Sequence, residues 1–122
     1  MAHSDRRYPK LRLHQPSYSM RRVAITGSSG YLGKGLVARL RHSHPDIQIL
    51  GIDIAPPAND CDCDFAILDM CSPTLESVLR RFAPDTVVHM GFIVAPVHDE
   101  RHMYRVNVGG TENVLSAVAA LR

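Results

Sequence analysis

Val23-Ala24-Ile25-Thr26-Gly27-Ser28-Ser29-Gly30-Tyr31-Leu32-Gly33-Lys34-Gly35-Leu36-Val37 carries an apolar, β-type run through three spaced glycines into an amphipathic helix. That order of elements predicts a phosphate cradle. Gly27 suits the tight turn at the strand's end, Gly30 has no Cβ to keep a pyrophosphate from the backbone, and Gly33 lets the new helix sit close to the strand. The free N–H groups of the first helical turn and the positive end of the helix dipole then favour an anion at that spot. The spacing G-x-x-G-x-x-G departs from the general dinucleotide fingerprint G-x-G-x-x-G, so the surrounding pattern has to carry the reading. Arg22 to Thr26 reads as a buried parallel strand, and Leu32, Leu36, Val37 and Leu40 fall on one helical face. A second strand, Ile47 to Ile54, sets Asp53 twenty positions after Gly33, where an acid that holds a ribose hydroxyl belongs. The competing reading is a Gly-rich turn of an unrelated α/β protein, with Asp53 an ordinary turn residue.

Four further segments add to the turn: Asp53, Asp69, Val87-Val88-His89, and Asn107-Val108-Gly109-Gly110-Thr111-Glu112-Asn113-Val114-Leu115. Together with Thr26-Gly27-Ser28-Ser29-Gly30-Tyr31-Leu32-Gly33, they make the chain from about Met20 onward resemble the extended short-chain dehydrogenase/reductase family, the NAD-dependent epimerase/dehydratase group. The glycine triplet is shared by many families, whereas the N-V-x-G-T-x-N-V-L run is far more specific. The resemblance implies an NAD site made by Gly27, Ser28, Ser29, Gly30, Tyr31, Leu32 and Gly33 at the phosphates and Asp53 at the ribose. It also implies Asp69 at the adenine edge and Asn107 near the cofactor, holding the fourth strand to its neighbours; at Met90 and Gly91 the run His89-Met90-Gly91-Phe92 departs from the family's small Ala-Ala pair, yet Gly91 still offers a backbone that a nicotinamide ribose can approach. Asp69 has a second reading as a cap near Ser72-Pro73, and Asn107 a second reading as a bond to backbone alone. NAD is expected over NADP, because Asp53 repels a 2′-phosphate and no arginine follows it in Ile54-Ala55-Pro56-Pro57.

A chain of 122 residues has room for one domain. Its hydrophobic share of 45% and charged share of 21% match a globular protein, and no apolar run approaches the ~20 residues of a bilayer span, so no membrane partner is expected. A formal net charge of +2 gives no overall case for nucleic acid. Three cysteines, Cys61, Cys63 and Cys71, do not make the even framework of a secreted disulfide scaffold, and favour a reducing, cytoplasmic setting. Cys61-Asp62-Cys63-Asp64 lacks a second ligand pair at zinc spacing, so no metal is expected and these cysteines read as loop thiols.

Residues 1–19 hold Arg6, Arg7, Lys10 and Arg12 without apolar periodicity, a basic tail expected to be disordered; residues 20–122 form the expected dinucleotide-binding domain. A solvated tail competes there with a phosphate- or nucleic-acid-binding arm. Phe65 to Leu68 reads as a third strand ending at Asp69. Ser72 and Pro73 read as N-cap and first residue of a helix whose apolar face is Leu75, Val78, Leu79 and Phe82, ending at Ala83-Pro84. Thr86 to Met90 reads as a fourth strand buried on both faces. Right-handed crossovers then give a Rossmann-type doubly wound parallel sheet of order 3-2-1-4, with the cofactor crevice between the first and fourth strands. From Asp99 a long helix is expected, with Met103, Val106, Val114, Leu115, Val118 and Leu121 apolar. Gly109-Gly110 inside it costs about 2 kcal/mol relative to alanines and calls for a packing or ligand reason. His98 and His102 read as a hydrated helix start rather than as a titrating pair.

The family's tyrosine acid/base with a lysine four residues later has no counterpart: the lysines are Lys10 and Lys34, and neither follows a tyrosine by four. No catalytic residue is therefore assigned. The sequence reads as the cofactor half of a family member, its sheet ending after about four strands, with a small-molecule substrate only once the other half is supplied. The implied function is the NAD-binding part of an epimerase/dehydratase or related oxidoreductase acting on a nucleotide sugar or secondary alcohol. The alternative is a non-catalytic, NAD-sensing module. Self-association is expected through the outer edge of the fourth strand and the last helix around Val114, Leu115 and Val118.

Overall fold

The computed structural model describes residues 19–57, 62–94 and 98–121. The tail, apart from Ser19, and Cys61 lie outside the described residues. Strands β1 (Arg22–Thr26), β2 (Gln48–Asp53), β3 (Asp64–Ile67) and β4 (Thr86–His89) form one parallel sheet in the order β3-β2-β1-β4. This is the doubly wound order expected from the sequence. Helices α1 (Tyr31–Ser43) and α2 (Leu75–Phe82) are followed by α3 (Glu100–Tyr104), a π-helical turn (Arg105–Gly109) and α4 (Gly110–Ala119).

Strand periodicity of two sends successive side chains to opposite faces, and both faces are apolar because helices cover both. Val23, Ile25 and Ile49 pack with Val37 of α1 on one side; Ala24, Leu50 and Ile52 pack with Leu75, Leu79 and Phe82 of α2 and Val114 and Ala117 of α4 on the other. Leu75 and Leu79 are fully buried, each burial contributing about 1.5–3 kcal/mol. That docks a helix of eight residues, too short to hold itself in water. The foot of the sheet is fixed by polar contacts. Asp85 accepts the N–H groups of Arg21 and Arg22 at 2.8 and 2.9 Å, while the Arg22 guanidinium lies 4.4 Å over the Phe82 ring and donates to the Phe82 carbonyl.

Several local expectations shift. Leu32 is 69% exposed, and α1 meets the sheet through Gly33 and Val37 with Leu36 and Leu40 half-buried. The cause is the closeness of the helix: a Cβ at Gly33 would run into the Gly27 carbonyl, so the seam centres on that glycine and turns Leu32 outward. Ile54 lies beyond β2 and is exposed, and β3 begins at Asp64 and ends at Ile67. β4 stops at His89 and is half-buried, since it is the edge strand of the described sheet. Ser72 does not cap a helix directly; its Oγ accepts the Thr74 N–H within a turn, and α2 starts at Leu75. The last helix is broken by the π-helical turn, Leu115 is exposed, and Val114 is buried in the core instead of lying open.

Gly27 has φ of +72°, and a Cβ there would stand 2.5 Å from the Met90 carbonyl oxygen, whereas Gly35, inside α1, has nothing within 4 Å. Gly27→Ala should lower the unfolding free energy by more than about 2 kcal/mol, and Gly35→Ala should raise it by about 0.5–1 kcal/mol. Urea denaturation of the two variants beside the parent measures both.

Candidate functional site

In a doubly wound sheet the crevice opens beyond the strands' carboxyl ends, where the chain order reverses. Here that point lies between β1 and β4, and a cleft of about 230 Å³ opens there. Its lining takes in Gly27 and Gly30 from the phosphate turn, Asp53 from the end of β2, Asp69 from beyond β3, and Met90 and Gly91 from beyond β4.

The turn itself is held by backbone bonds, Gly27 N–H to the Ile52 carbonyl at 2.8 Å and Gly30 N–H to the Gly27 carbonyl at 3.2 Å. Gly30 is the extended residue that starts α1, and no side chain caps that start, so its first N–H groups stay available to a ligand. A Cβ at Gly30 would meet only the Gly27 carbonyl oxygen at 3.4 Å, an ordinary contact; the space over it is open. Ser29 donates its N–H to Asp53 Oδ2 at 3.0 Å and its hydroxyl to the carbonyls of Ala55 and Pro56. Asp53 Oδ1 accepts the Ala55 N–H at 3.1 Å, so each oxygen keeps a lone pair for a further donor. Ser28 is 5% exposed and points under the turn, where its Oγ, without a hydrogen-bond partner, faces Gly51 rather than the cleft. Tyr31 and Leu32 are exposed outside the cleft lining.

Asp69 stands in a turn ahead of α2 and does not cap that helix, whose N-cap is Thr74. It lines the cleft, and its Oδ1 accepts the Cys71 N–H at 2.8 Å while its carbonyl accepts that of Ser72. Cys71 is a free thiol pushed above its ordinary pKa, first by burial and then by the Asp69 charge. Cys63, read from the sequence as a loop thiol, is disulfide-bonded. Among the described residues no group of His, Cys, Asp and Glu could hold a metal ion.

The wall on the β4 side is a polar chain. Thr26 Oγ1 accepts the N–H groups of Met90 and Gly91 at 3.0 and 3.2 Å and lies 2.7 Å from His89 Nδ1; His89 Nε2 lies 2.9 Å from Thr111 Oγ1. Asn107 clamps Ile93, accepting its N–H at 2.8 Å and donating to its carbonyl at 2.9 Å. Asn107 thus bonds backbone, and through it shapes the segment that borders the cleft. Burial pushes the His89 imidazole below its ordinary pKa, and the Phe92 ring stands 4.6 Å from it.

Other residues here escaped the sequence reading. Asn113 donates to the carbonyls of Met70 and Ser72, tying α4 to the loop after β3. The Met70 thioether fills the space where Gly91 and Gly110 lack a Cβ, which is the packing reason for a glycine in the last helix. His102 and Val106 line the cleft, although His102 is exposed and receives a bond from Arg105 at 2.8 Å. The motif N-V-x-G-T-x-N held the signal for Thr111 and Asn113; spacing alone gave none for His102.

The NAD dependent epimerase/dehydratase family model matches residues 23–122, and the chain belongs to that family. It is 28% identical over 102 residues to a GDP-6-deoxy-D-talose 4-dehydrogenase of Aggregatibacter actinomycetemcomitans, covering 82% of this chain and 31% of that one. Among solved structures, the Bordetella bronchiseptica enzyme WbmG in complex with NAD is 27% identical with a TM-score of 0.69, over 88% of this chain and 36% of that one. L-Threonine dehydrogenase of Clostridium difficile, 20% identical with a TM-score of 0.75 over 85% of this chain and 34% of that one, shares the fold. The chain therefore spans about a third of the length of the relatives it matches. NAD binding is supported by that family and by its NAD-complexed neighbour. No helix among the described residues is long and apolar enough to cross a membrane.

Thr26→Val keeps the shape of a side chain that is 1% exposed but strands the Gly91 N–H. The expected loss is about 1–3 kcal/mol of stability, with Thr26→Ser recovering most of it, as read by chemical denaturation.

Proposed function

We propose that residues 20–122 are the dinucleotide-binding part of an NAD-dependent oxidoreductase or epimerase/dehydratase that acts, in a longer protein, on a nucleotide sugar or secondary alcohol. The observation that carries the reading is Gly30, which the protein's own packing does not require and whose open face looks into the cleft beside an uncapped helix start. In this reading the backbone of Gly27 to Gly33 takes the pyrophosphate, and the free lone pairs of Asp53 take the adenosine ribose hydroxyls. Asp69 lies at the adenine edge, and Met90 and Gly91 border the nicotinamide ribose. Asn107 acts at one remove, by holding Ile93. Ser29 steadies Asp53, and Tyr31 and Leu32 contribute through their backbone. The dinucleotide, when bound, supplies the hydride acceptor, and the chain's residues bind and orient it.

The nucleotide-sugar half of the proposal draws on the relative named as a GDP-6-deoxy-D-talose 4-dehydrogenase and on a second WbmG structure, 25% identical, that holds NAD and UDP. A cytoplasmic setting is part of the proposal on the odd cysteine count alone, and the disulfide at Cys63 counts against it. Self-association through the outer edge of β4 and the last helix, now centred on the exposed Leu115 instead of Val114, also belongs to the proposal.

Calorimetric titration tests the cofactor assignment. A carboxylate about 4 Å from a 2′-phosphate is repelled by about 4 kcal/mol per charge pair at an effective dielectric of 20, before screening. NAD should therefore bind at least about tenfold more tightly than NADP. Asp53→Ala should erase that preference, and Gly30→Val should abolish binding while the protein stays folded. Equal affinities for the two cofactors in the parent, or undiminished binding by the Gly30 variant, would overturn the assignment.

Turnover is a separate matter. Proton exchange with a substrate hydroxyl needs a positioned acid/base within about 3 Å, worth roughly 10²–10⁴-fold. No tyrosine of this chain has a lysine four residues on. With NAD and a panel of nucleotide sugars and secondary alcohols, the 122-residue chain should give no turnover, and a version extended through further strands should give it. Activity in the short chain would sink this account.

A further inference from the structure

We propose that His89 is the positioning residue of the β4 wall, working as a neutral imidazole with its hydrogen on Nε2, so that protonation unfastens the backbone segment Met90 to Ile93 that borders the cleft. What the cleft holds is taken from the dinucleotide reading above; the relay itself stands on hydrogen-bond arithmetic.

The Thr26 hydroxyl has one hydrogen and two acceptor lone pairs. The hydroxyl accepts the Gly91 N–H and shares the Met90 N–H with the Thr26 carbonyl, which stands 3.1 Å from it, so the hydrogen is what remains for His89 Nδ1 at 2.7 Å. Nδ1 therefore accepts. A neutral imidazole that accepts at Nδ1 carries its hydrogen on Nε2, where Thr111 Oγ1 stands at 2.9 Å. Thr111 sends its own hydrogen to the Asn107 carbonyl at 2.6 Å, and the Asn107 side chain grips Ile93 at both its N–H and its carbonyl. From the Thr26 hydroxyl through His89 and Thr111 to the Asn107 carbonyl, donation runs in one direction, and the Asn107 side chain then pairs reciprocally with Ile93.

An imidazolium breaks this order. Its two N–H groups are both donors, and the new one would point at a Thr26 oxygen whose lone pairs are already engaged. Burial opposes the charge as well, and is the sole cause of the lowered pKa of His89. The charged and titratable groups on the surrounding elements are Arg22 at the far end of β1 and Glu100, Arg101, His102, Tyr104, Arg105 and Glu112 on the last helical run; Asp53 and Asp69 line the cleft opposite. None of them offsets that burial. The sign follows from linkage: with the folded pKa below the unfolded one, the unfolded chain binds more protons in the window between them. Stability and cleft order therefore rise with pH through that window, and fall as pH drops below about 6.5.

Nitrogen-15 NMR of the histidine rings in the 122-residue chain reads the tautomer, with His89→Gln identifying the signal among seven histidines. Glutamine offers an acceptor and a donor and does not titrate in this range. In the parent, His89 should be the Nε2–H tautomer at neutral pH and titrate below about 6.5. Protection factors of the Gly91 and Ile93 amides should fall between about pH 7.5 and about pH 5.5, by no more than the roughly tenfold that linkage to an unfolded pKa of about 6.5 permits, and NAD affinity should fall with them. Both pH dependences should flatten in the glutamine variant. An Nδ1–H tautomer, a titration at or above about 6.5, or the same loss of amide protection in the variant would overturn the relay. The first two are read on the parent, so a variant that fails to fold leaves the test intact. Failure to bind NAD at every pH, with tautomer and protection as expected, would instead count against the dinucleotide reading and leave the relay standing.

Discussion

The structure depends on the closeness of β1 and β4 at their carboxyl ends. A parallel ladder ends where the chain leaves the sheet, and the N–H groups just beyond must find another acceptor or remain stranded. Thr26, 1% exposed, resolves this: its carbonyl and hydroxyl share the Met90 N–H, and its hydroxyl alone takes that of Gly91. Gly27 allows the two ends to come so close, because any side chain there would occupy the Met90 carbonyl. The cleft is what this approach leaves open above it. A weaker seam would splay β4 from β1, and the phosphate turn would lose the wall it faces.

The run Asn107 to Asn113 acquires a physical meaning from the same seam. Asn107 fixes the loop after β4, Thr111 pairs with His89, Gly110 makes room for the Met70 thioether, and Asn113 fixes the loop after β3. Four positions on one helical run thus hold the two segments that form the far side of the cleft. The π-helical turn sits among them, a device that recurs where a helix serves a site.

Much of this was legible from pattern. Buried parallel strands show themselves as continuous apolar runs, so the four strands, their order and the position of Asp53 could be read to within a residue or two. What periodicity conveys poorly is rotation and interruption. Leu32 fits the apolar face of α1 by spacing, yet the seam is set by Gly33, a residue with no hydrophobicity to count. Met103, Val106, Gly110, Val114, Ala117 and Leu121 keep helical spacing straight through the π-helical turn, which is why nothing in the pattern announced it. The resemblance places Ser28 at the phosphates, yet its side chain points under the turn, where its buried Oγ faces Gly51. Polar links such as His89 to Thr111, separated by 22 positions, exist only once the helix has docked.

The glycine triplet divides between two demands. Gly27 and Gly33 answer to the protein: a Cβ on either would collide with backbone, and backbone cannot turn aside as a side chain can. Gly30 answers to nothing in the chain, having an extended conformation open to any residue and only an ordinary contact waiting for a Cβ. A fold needs no glycine at such a place, and a glycine there gives up backbone entropy on ordering. In the proposed function that cost is offset by a ligand that comes close to the main chain. Together with the uncapped start of α1, this asymmetry is what the proposed pyrophosphate site rests on: the middle glycine is free of the protein's own packing, and the outer two belong to the scaffold.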